Sequence, residues 1–282
     1  MSIRHNINQR STAQQPLETA IVIVPDAWCL PEHYEGLATA CRALGSEVMI
    51  VQNPSTRGPM GEGTAPPGLY DDAANARRII KGLVRERKKV LIVAHSYGVV
   101  VASESVRGLG MEELTGVSQG GVVRMLFIAG IVPWEGGERN GSYEGHARAR
   151  AAGRRDGESE GFMYHSPEKL AECMYSSVPY SQGLRHAATT NTTQSARAFE
   201  ERLTYAGYRT IPVTYMVAGA DRTVPPALQE RFIGVVEAEA GRAVDVVRYS
   251  VDHCPPVTGP DAVVDCVRRA AGAEGYPNCT WI

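Results

Sequence analysis

The chain has 282 residues, 43% hydrophobic and 21% charged, with a formal net charge of −2. Apolar content this high at so small a net charge excludes disorder throughout. The near-neutral balance offers no broad basic surface, so nucleic acid is not expected as a partner. No run of 18 apolar residues is present, so no membrane span is expected. The length suits one large α/β domain or two small ones.

In chain order, Met1 to Gln15 is polar and lacks the apolar stretch of a secretory signal. It is expected to be a disordered tail on a cytoplasmic chain. Ala20 to Val24 is a short apolar run, as for a buried strand. Pro31 to Leu44 reads as a helix, with Tyr34, Leu37, Ala38, Cys41 and Leu44 on one face and Gly45 as its stop. Glu47 to Val51 reads as a second strand. Asn53 to Leu69 is rich in Gly and Pro and reads as a long functional loop. Tyr70 to Arg87 is predicted helical, with acids in its first turn and arginines in its last. Val90 to Ala94 is a buried strand followed by a helix to about Gly108, and Val122 to Ala129 is the next strand.

The alternation then breaks. Gly136 to Gly161 reads as a mobile surface segment, and Pro167 to Tyr175 and Ser195 to Tyr205 as helices. It resumes with a strand at Ile211 to Val217, a helix at Pro226 to Ala240, a strand at Val244 to Tyr249 and a last helix opened by Gly259-Pro260. Continuous apolar strands alternating with amphipathic helices predict a mostly parallel sheet flanked by helices. The domain is expected to span 16–282, with a helical cap insertion at about 136–208 above the C-terminal strand ends. The six cysteines show no metal-like spacing, so no metal is expected. The sequons beginning at Asn140, Asn191 and Asn278 carry no weight without a secretory signal. The tail Cys279 to Ile282 fits a prenylation box poorly.

The chemistry concentrates at Val90 to Val100, where a strand runs through Ala94-His95-Ser96-Tyr97-Gly98 into a helix. Small residues around a serine at such a turn make a nucleophile elbow, with the hydroxyl at a helix N-terminus. A serine needs a base and an orienting acid. His253 follows a strand and precedes the last helix, as a base should. Asp221 follows the Ile211–Val217 strand. His95 reads as a packed supporting residue, and Asp252 as a poor orienter because it adjoins His253. An oxyanion hole is expected from the backbone N–H groups of Tyr97 and Ala27.

On these stretches, Val24 to Tyr34, Leu69 to Gly98, Pro212 to Gln229 and Ser250 to Ala271, the chain resembles the α/β-hydrolases. More narrowly it is similar to fungal secondary-metabolism hydrolases related to plant methylesterases and hydroxynitrile lyases. The resemblance implies a cofactor-free serine enzyme with catalytic Ser96, His253 and Asp221, acting on an ester, lactone or thioester of a small hydrophobic substrate through an acyl-enzyme. Some relatives catalyse lyase, cyclisation or condensation reactions instead, and a ligand-binding receptor is a third reading. A homodimer is compatible with the resemblance.

One residue departs from the family pattern. Asp26 stands where the family usually has Gly, beside the expected hole. A carboxylate ~6 Å from the oxyanion, at an effective dielectric of ~20, opposes it by roughly 3 kcal/mol. The plain expectation is that Asp26 points away and caps the following turn. It is otherwise protonated in the pocket, or it serves as an acid or base in a site that no longer stabilises an ester-derived oxyanion. Trp28, on the same loop, is expected to touch substrate. Tyr164, Met174, Tyr175 and Tyr180 are candidate walls, and Arg148, Arg150, Arg154 and Arg155 form a basic run.

Overall fold

The structure is a computed structural model that describes residues 19–56, 65–114, 120–133, 157–159, 161–190 and 193–272. The expected tail, most of the Gly136–Gly161 segment, the four arginines, the three sequon asparagines and Cys279 lie outside the described residues.

The main sheet has six parallel strands in the order β2-β1-β3-β4-β8-β9. They are β1 (Ala20–Val24), β2 (Val48–Ile50), β3 (Lys89–His95), β4 (Gly121–Ile128), β8 (Val213–Ala218) and β9 (Asp245–Tyr249). The central strands are mostly apolar because both faces are covered. Val22, Val24, Ile92, Ala94, Met125 and Phe127 pack toward one side, with residues of α2 (Leu69–Arg85), α3 (Gly98–Ser105) and α6 (Pro226–Ala240). Ile21, Ile23, Leu91, Val93, Leu126 and Ile128 pack toward the other, with α1 (Glu35–Ala43) and α8 (Pro260–Ala270). The period-2 alternation of Cβ directions divides each strand between the two layers. Each buried large side chain contributes about 1.5–3 kcal/mol to holding them.

The insertion differs from the all-helical expectation. It contains α4 (Pro167–Cys173) and α5 (Tyr180–Thr189), and also an antiparallel sheet of β5 (Gly157–Ser159), β6 (Phe162–Tyr164) and β7 (Thr193–Ser195). The stretch expected to be a helix at Ser195–Tyr205 instead holds one 3-10 turn, Ala196–Phe199. The helix α5 was absent from the sequence reading. Its Gly183 packs against α4, where an added Cβ would lie 3.3 Å from the Tyr175 carbonyl. The end of α4 is fastened to two loops of the main sheet: Thr223 Oγ1 donates to Cys173 O (3.2 Å) and Cys254 N to Met174 O (3.2 Å). A short helix, α7 (Pro255–Thr258), follows that second loop.

Candidate active site

Four strand ends converge on one pocket. The loop after β1 supplies Asp26, Ala27 and Trp28; the turn after β3 supplies Ser96 and Tyr97; the loops after β8 and β9 supply Asp221 and His253. Ligands in parallel α/β sheets bind at this edge.

Ser96 sits at φ 51°, the left-handed conformation of a strained elbow. Its amide donates to Ile128 O (3.0 Å). Gly98 is required beneath it, because a Cβ there would lie 2.3 Å from the Val24 carbonyl oxygen. Asp221 is fixed by the Thr223 and Val224 amides, at 2.7 and 2.8 Å, and by Gln229 Nε2 at 3.3 Å. Its Oδ2 accepts from His253 Nδ1 at 2.7 Å.

The other ring nitrogen decides the chemistry. His253 Nε2 bonds Asp26 Oδ2 at 3.1 Å. Asp26 Oδ1 accepts from the backbone N–H groups of Ala27 (2.7 Å) and Tyr97 (3.2 Å). Those are the two donors expected to form the oxyanion hole. Asp26 therefore does not point away: it turns inward, is 3% exposed, and its carboxylate occupies both of those amide donors. The reason is the donor set, since two amides and an imidazolium satisfy a buried carboxylate better than a turn amide alone.

Burial, the largest single influence on Asp26, works against its charge. The hydrogen bond and charge of His253 come first among the influences that outweigh it, with His95 and the Ser96 hydroxyl adding to them, and hold the carboxyl below its ordinary value. For His253, burial again opposes charge, but Asp221 first and Asp26 second push it well above the usual histidine range. Both ring nitrogens face carboxylate oxygens, an arrangement that favours the imidazolium form of His253.

His95 supports this cluster from behind. Its Nε2 lies 2.6 Å from the His253 carbonyl, which can only accept, so Nε2 carries the proton. Burial lowers its basicity. Its Nδ1 therefore accepts from Tyr34 Oη (2.7 Å), which in turn accepts from the Asp26 amide (2.9 Å). His95 thus orients the His253 backbone, as a supporting residue. Asp252 binds Ser177, Cys254 and Thr258 and not His253.

A second buried chain joins the cap to the hole. Trp28, at φ 60°, donates its amide to Gln194 Oε1 of β7 (3.2 Å). Gln194 Nε2 donates to Ser55 Oγ, and both Ser55 Oγ and Tyr97 Oη donate to Asp72 Oδ2. Tyr34, Gln194, Asp72 and Gln229 escaped the sequence reading. A buried Gln or Asp has no local signature that separates it from a surface one, and Tyr34 read as helix core.

The pocket encloses roughly 570 Å³, part of it open to solvent. Its walls are mainly apolar: Trp28, Ile131, Leu170, Met174 and Phe199. Of the four candidate wall residues, Met174 alone lines it; Tyr175 is buried against Thr190, and Tyr164 and Tyr180 are exposed. Trp28 Nε1 is buried and has no hydrogen-bond partner among the described residues. Asp26, His95 and His253 bring one possible ligand atom each within 4.8 Å of one another. Their nitrogens and oxygens are already spent on the hydrogen bonds above, so a cation would have to break that network.

The profile of the Alpha/beta hydrolase family matches residues 21–266. The chain belongs to that family and is an enzyme of it, with the family's parallel sheet and flanking helices. It is 28% identical over 255 residues to "Probable hydrolase R7" of a Phoma species, covering 89% of this chain and 98% of that one. It is 27% identical to "Alpha/beta hydrolase nvfD" of Aspergillus novofumigatus, covering 91% and 98%. Among solved structures it superposes on polyneuridine aldehyde esterase with a TM-score of 0.69 at 14% identity, covering 89% and 98%. It also superposes on tomato methylketone synthase I, complexed with 2-tridecanone, with a TM-score of 0.65 at 14% identity, covering 90% and 99%. These two likenesses show the fold alone. Among the described residues no helix is long and apolar enough to cross a membrane.

Proposed function

We propose that the chain moves protons on a small, largely apolar carbonyl compound, with Asp26 and His253 as the acid–base pair and Asp221 orienting His253. The observation that supports this reading is the Asp26 carboxylate seated on both hole amides and on His253 Nε2.

Acyl transfer needs two vacancies that the site lacks. The Ser96 proton must pass to His253 Nε2, and that nitrogen is engaged with the Asp26 carboxylate. The carbonyl oxygen must reach the Ala27 and Tyr97 amides, and a carboxylate occupies them. Hydrogen bonds to a charged group are worth about 1.5–3 kcal/mol each, so displacing Asp26 is costly. A base and an acid held side by side, with their affinities for protons pushed apart, suit a different step. Asp26 takes a proton from the carbon beside a carbonyl, and His253 donates to the enolate oxygen that develops. Positioned acid–base pairs contribute about 10²–10⁴-fold. Enolate formation of this kind serves lyase, cyclisation and condensation reactions on small metabolites, and it uses side chains of this chain alone.

Proton NMR in D2O on a panel of enolisable β-keto esters and 1,3-diketones tests it. The expected result is catalysed deuterium uptake between the carbonyls, falling at least about 100-fold in Asp26→Asn and His253→Asn and staying within about tenfold in Ser96→Ala. Ester cleavage abolished by Ser96→Ala would overturn it.

A second reading keeps Ser96 as the nucleophile toward an ester, lactone or thioester, with Asp26 rotating out of the hole. The strained elbow and the 2.7 Å bond from His253 to Asp221 favour it. A fluorophosphonate that promptly labels Ser96 of the wild-type protein would select this reading.

A further inference from the structure

The donors that hold the Asp26 carboxylate are fixed without its help. The Asp26 backbone is held by Tyr34, which accepts from its amide, and by Cys29, whose amide donates to its carbonyl. The Tyr97 amide is fixed by the elbow and by its ring hydroxyl on Asp72. His253 is held by Asp221 through its ring and by His95 through its carbonyl. The three donors meet the two carboxylate oxygens separately, both amides on Oδ1 and the imidazolium on Oδ2. Asp26, Ala27, Ser96, Tyr97 and His253 all line the pocket, so a molecule from solvent has a route to this place.

We propose that the Ala27 and Tyr97 amides and His253 form a preorganised receptor for a small carboxylate, with Asp26 as its tethered ligand. When that side chain is removed, free formate occupies the receptor, and the same place serves the carbonyl oxygen of an ester attacked by Ser96. One residue then separates two activities of one site. Formate carries two oxygens at the spacing of the Asp26 carboxylate and needs no new donor. In its absence the variant acts on p-nitrophenyl acetate. Ser96 Oγ bonds to the carbonyl carbon, its proton passes to His253 Nε2, and the oxyanion rests on the two amides. Collapse breaks the bond to p-nitrophenolate, and His253 releases the proton it took to the departing phenolate or to solvent. Water then attacks the acetyl-serine and gives a proton to His253 Nε2; as the acyl–oxygen bond breaks, that proton passes to Ser96 Oγ and acetic acid leaves, ionising to acetate. This inference rests on the proton-transfer reading for the role of the bound carboxylate, and on the hole geometry for the ester step.

The test uses the full chain as wild type, Asp26→Gly, Asp26→Ala, Asp26→Asn and Asp26→Gly/Ser96→Ala, each checked for folding by circular dichroism. Asp26→Gly and Asp26→Ala should cleave p-nitrophenyl acetate at least about 100-fold faster than wild type, the scale set by oxyanion donors. The double variant and Asp26→Asn, whose amide oxygen keeps the hole filled, should not. Formate should inhibit the new esterase competitively and restore deuterium exchange in the same variant, while formamide and matched sodium chloride do neither. A folded Asp26→Ala with no gain in cleavage and no formate effect would overturn the inference. If wild type is also silent toward esters, the proton-transfer reading survives that failure. If wild type cleaves esters and Asp26→Gly cleaves them faster still with competitive inhibition by formate, the carboxylate receptor stands, and the proton-transfer reading falls together with the separation of two activities.

Discussion

His253 faces carboxylates on both sides, at 2.7 Å from Asp221 and 3.1 Å from Asp26. A buried ion cluster of this kind is costly unless every lone pair and proton is matched, and here each is. Tyr34 completes the match: its hydroxyl accepts from the Asp26 amide and donates to His95. Tyr34→Phe removes one atom and leaves a buried N–H and a buried ring nitrogen without partners. Two such orphans cost about 1–3 kcal/mol each. Urea unfolding should show a loss of at least about 2 kcal/mol, together with reduced activity, because the Asp26 backbone is no longer held. A loss below about 0.5 kcal/mol would contradict the role given to that hydroxyl.

At the scale of elements, the cap sheet and the hole loop are one hydrogen-bonded unit. The chain from Trp28 through Gln194 and Ser55 to Asp72 and Tyr97 joins β7, the 3-10 turn Pro54–Thr56, α2 and the turn after β3. Burial pushes the Asp72 carboxyl up to about 6, against the hydrogen bonds from Ser55 and Tyr97 that favour its charge. The folded state then holds a proton that the unfolded state, near 3.8, has released. Stability should fall as pH rises from about 4 to about 6, by roughly 3 kcal/mol in total for this group. Asp72→Asn carries no such proton. The stability difference between wild type and Asp72→Asn, measured by urea unfolding, should shift against wild type across that interval. A pH-independent difference would contradict it.

The main-sheet strands are readable in sequence because strands covered on both faces are rich in apolar residues, and the helix Pro226–Ala240 because a proline opens it and Gly241 closes it. The sheet of the cap is not, since Phe162–Tyr164 and Thr193–Ser195 are three residues each and too short to show alternation. Ser96, Asp221 and His253 are readable for a similar reason: each follows a recognisable strand, and the fold brings these strand ends together. The direction of Asp26 is not readable. Its partners are Ala27 beside it, Tyr97 from β3 and His253 from beyond β9. Their joint attraction exists only after the whole sheet is assembled.

The same assembly ties the charge of the site to the stability of the molecule. Because folding raises the His253 value above 6.5, its stabilising contribution is complete below that pH and is lost as pH climbs through the folded value. The stability advantage of wild type over His253→Gln should therefore shrink as pH rises above 6.5. An advantage that grows with pH would mean that His253 is neutral when folded.

The most direct test of the central claim, a carboxylate in the oxyanion hole paired with an imidazolium, is nitrogen-15 NMR of the His253 ring at pH 7. Both ring nitrogens should be protonated in wild type, and in Asp26→Gly Nε2 should lose its proton at markedly lower pH. A wild-type His253 with one bare nitrogen at pH 7, unaffected by removal of Asp26, would contradict the account.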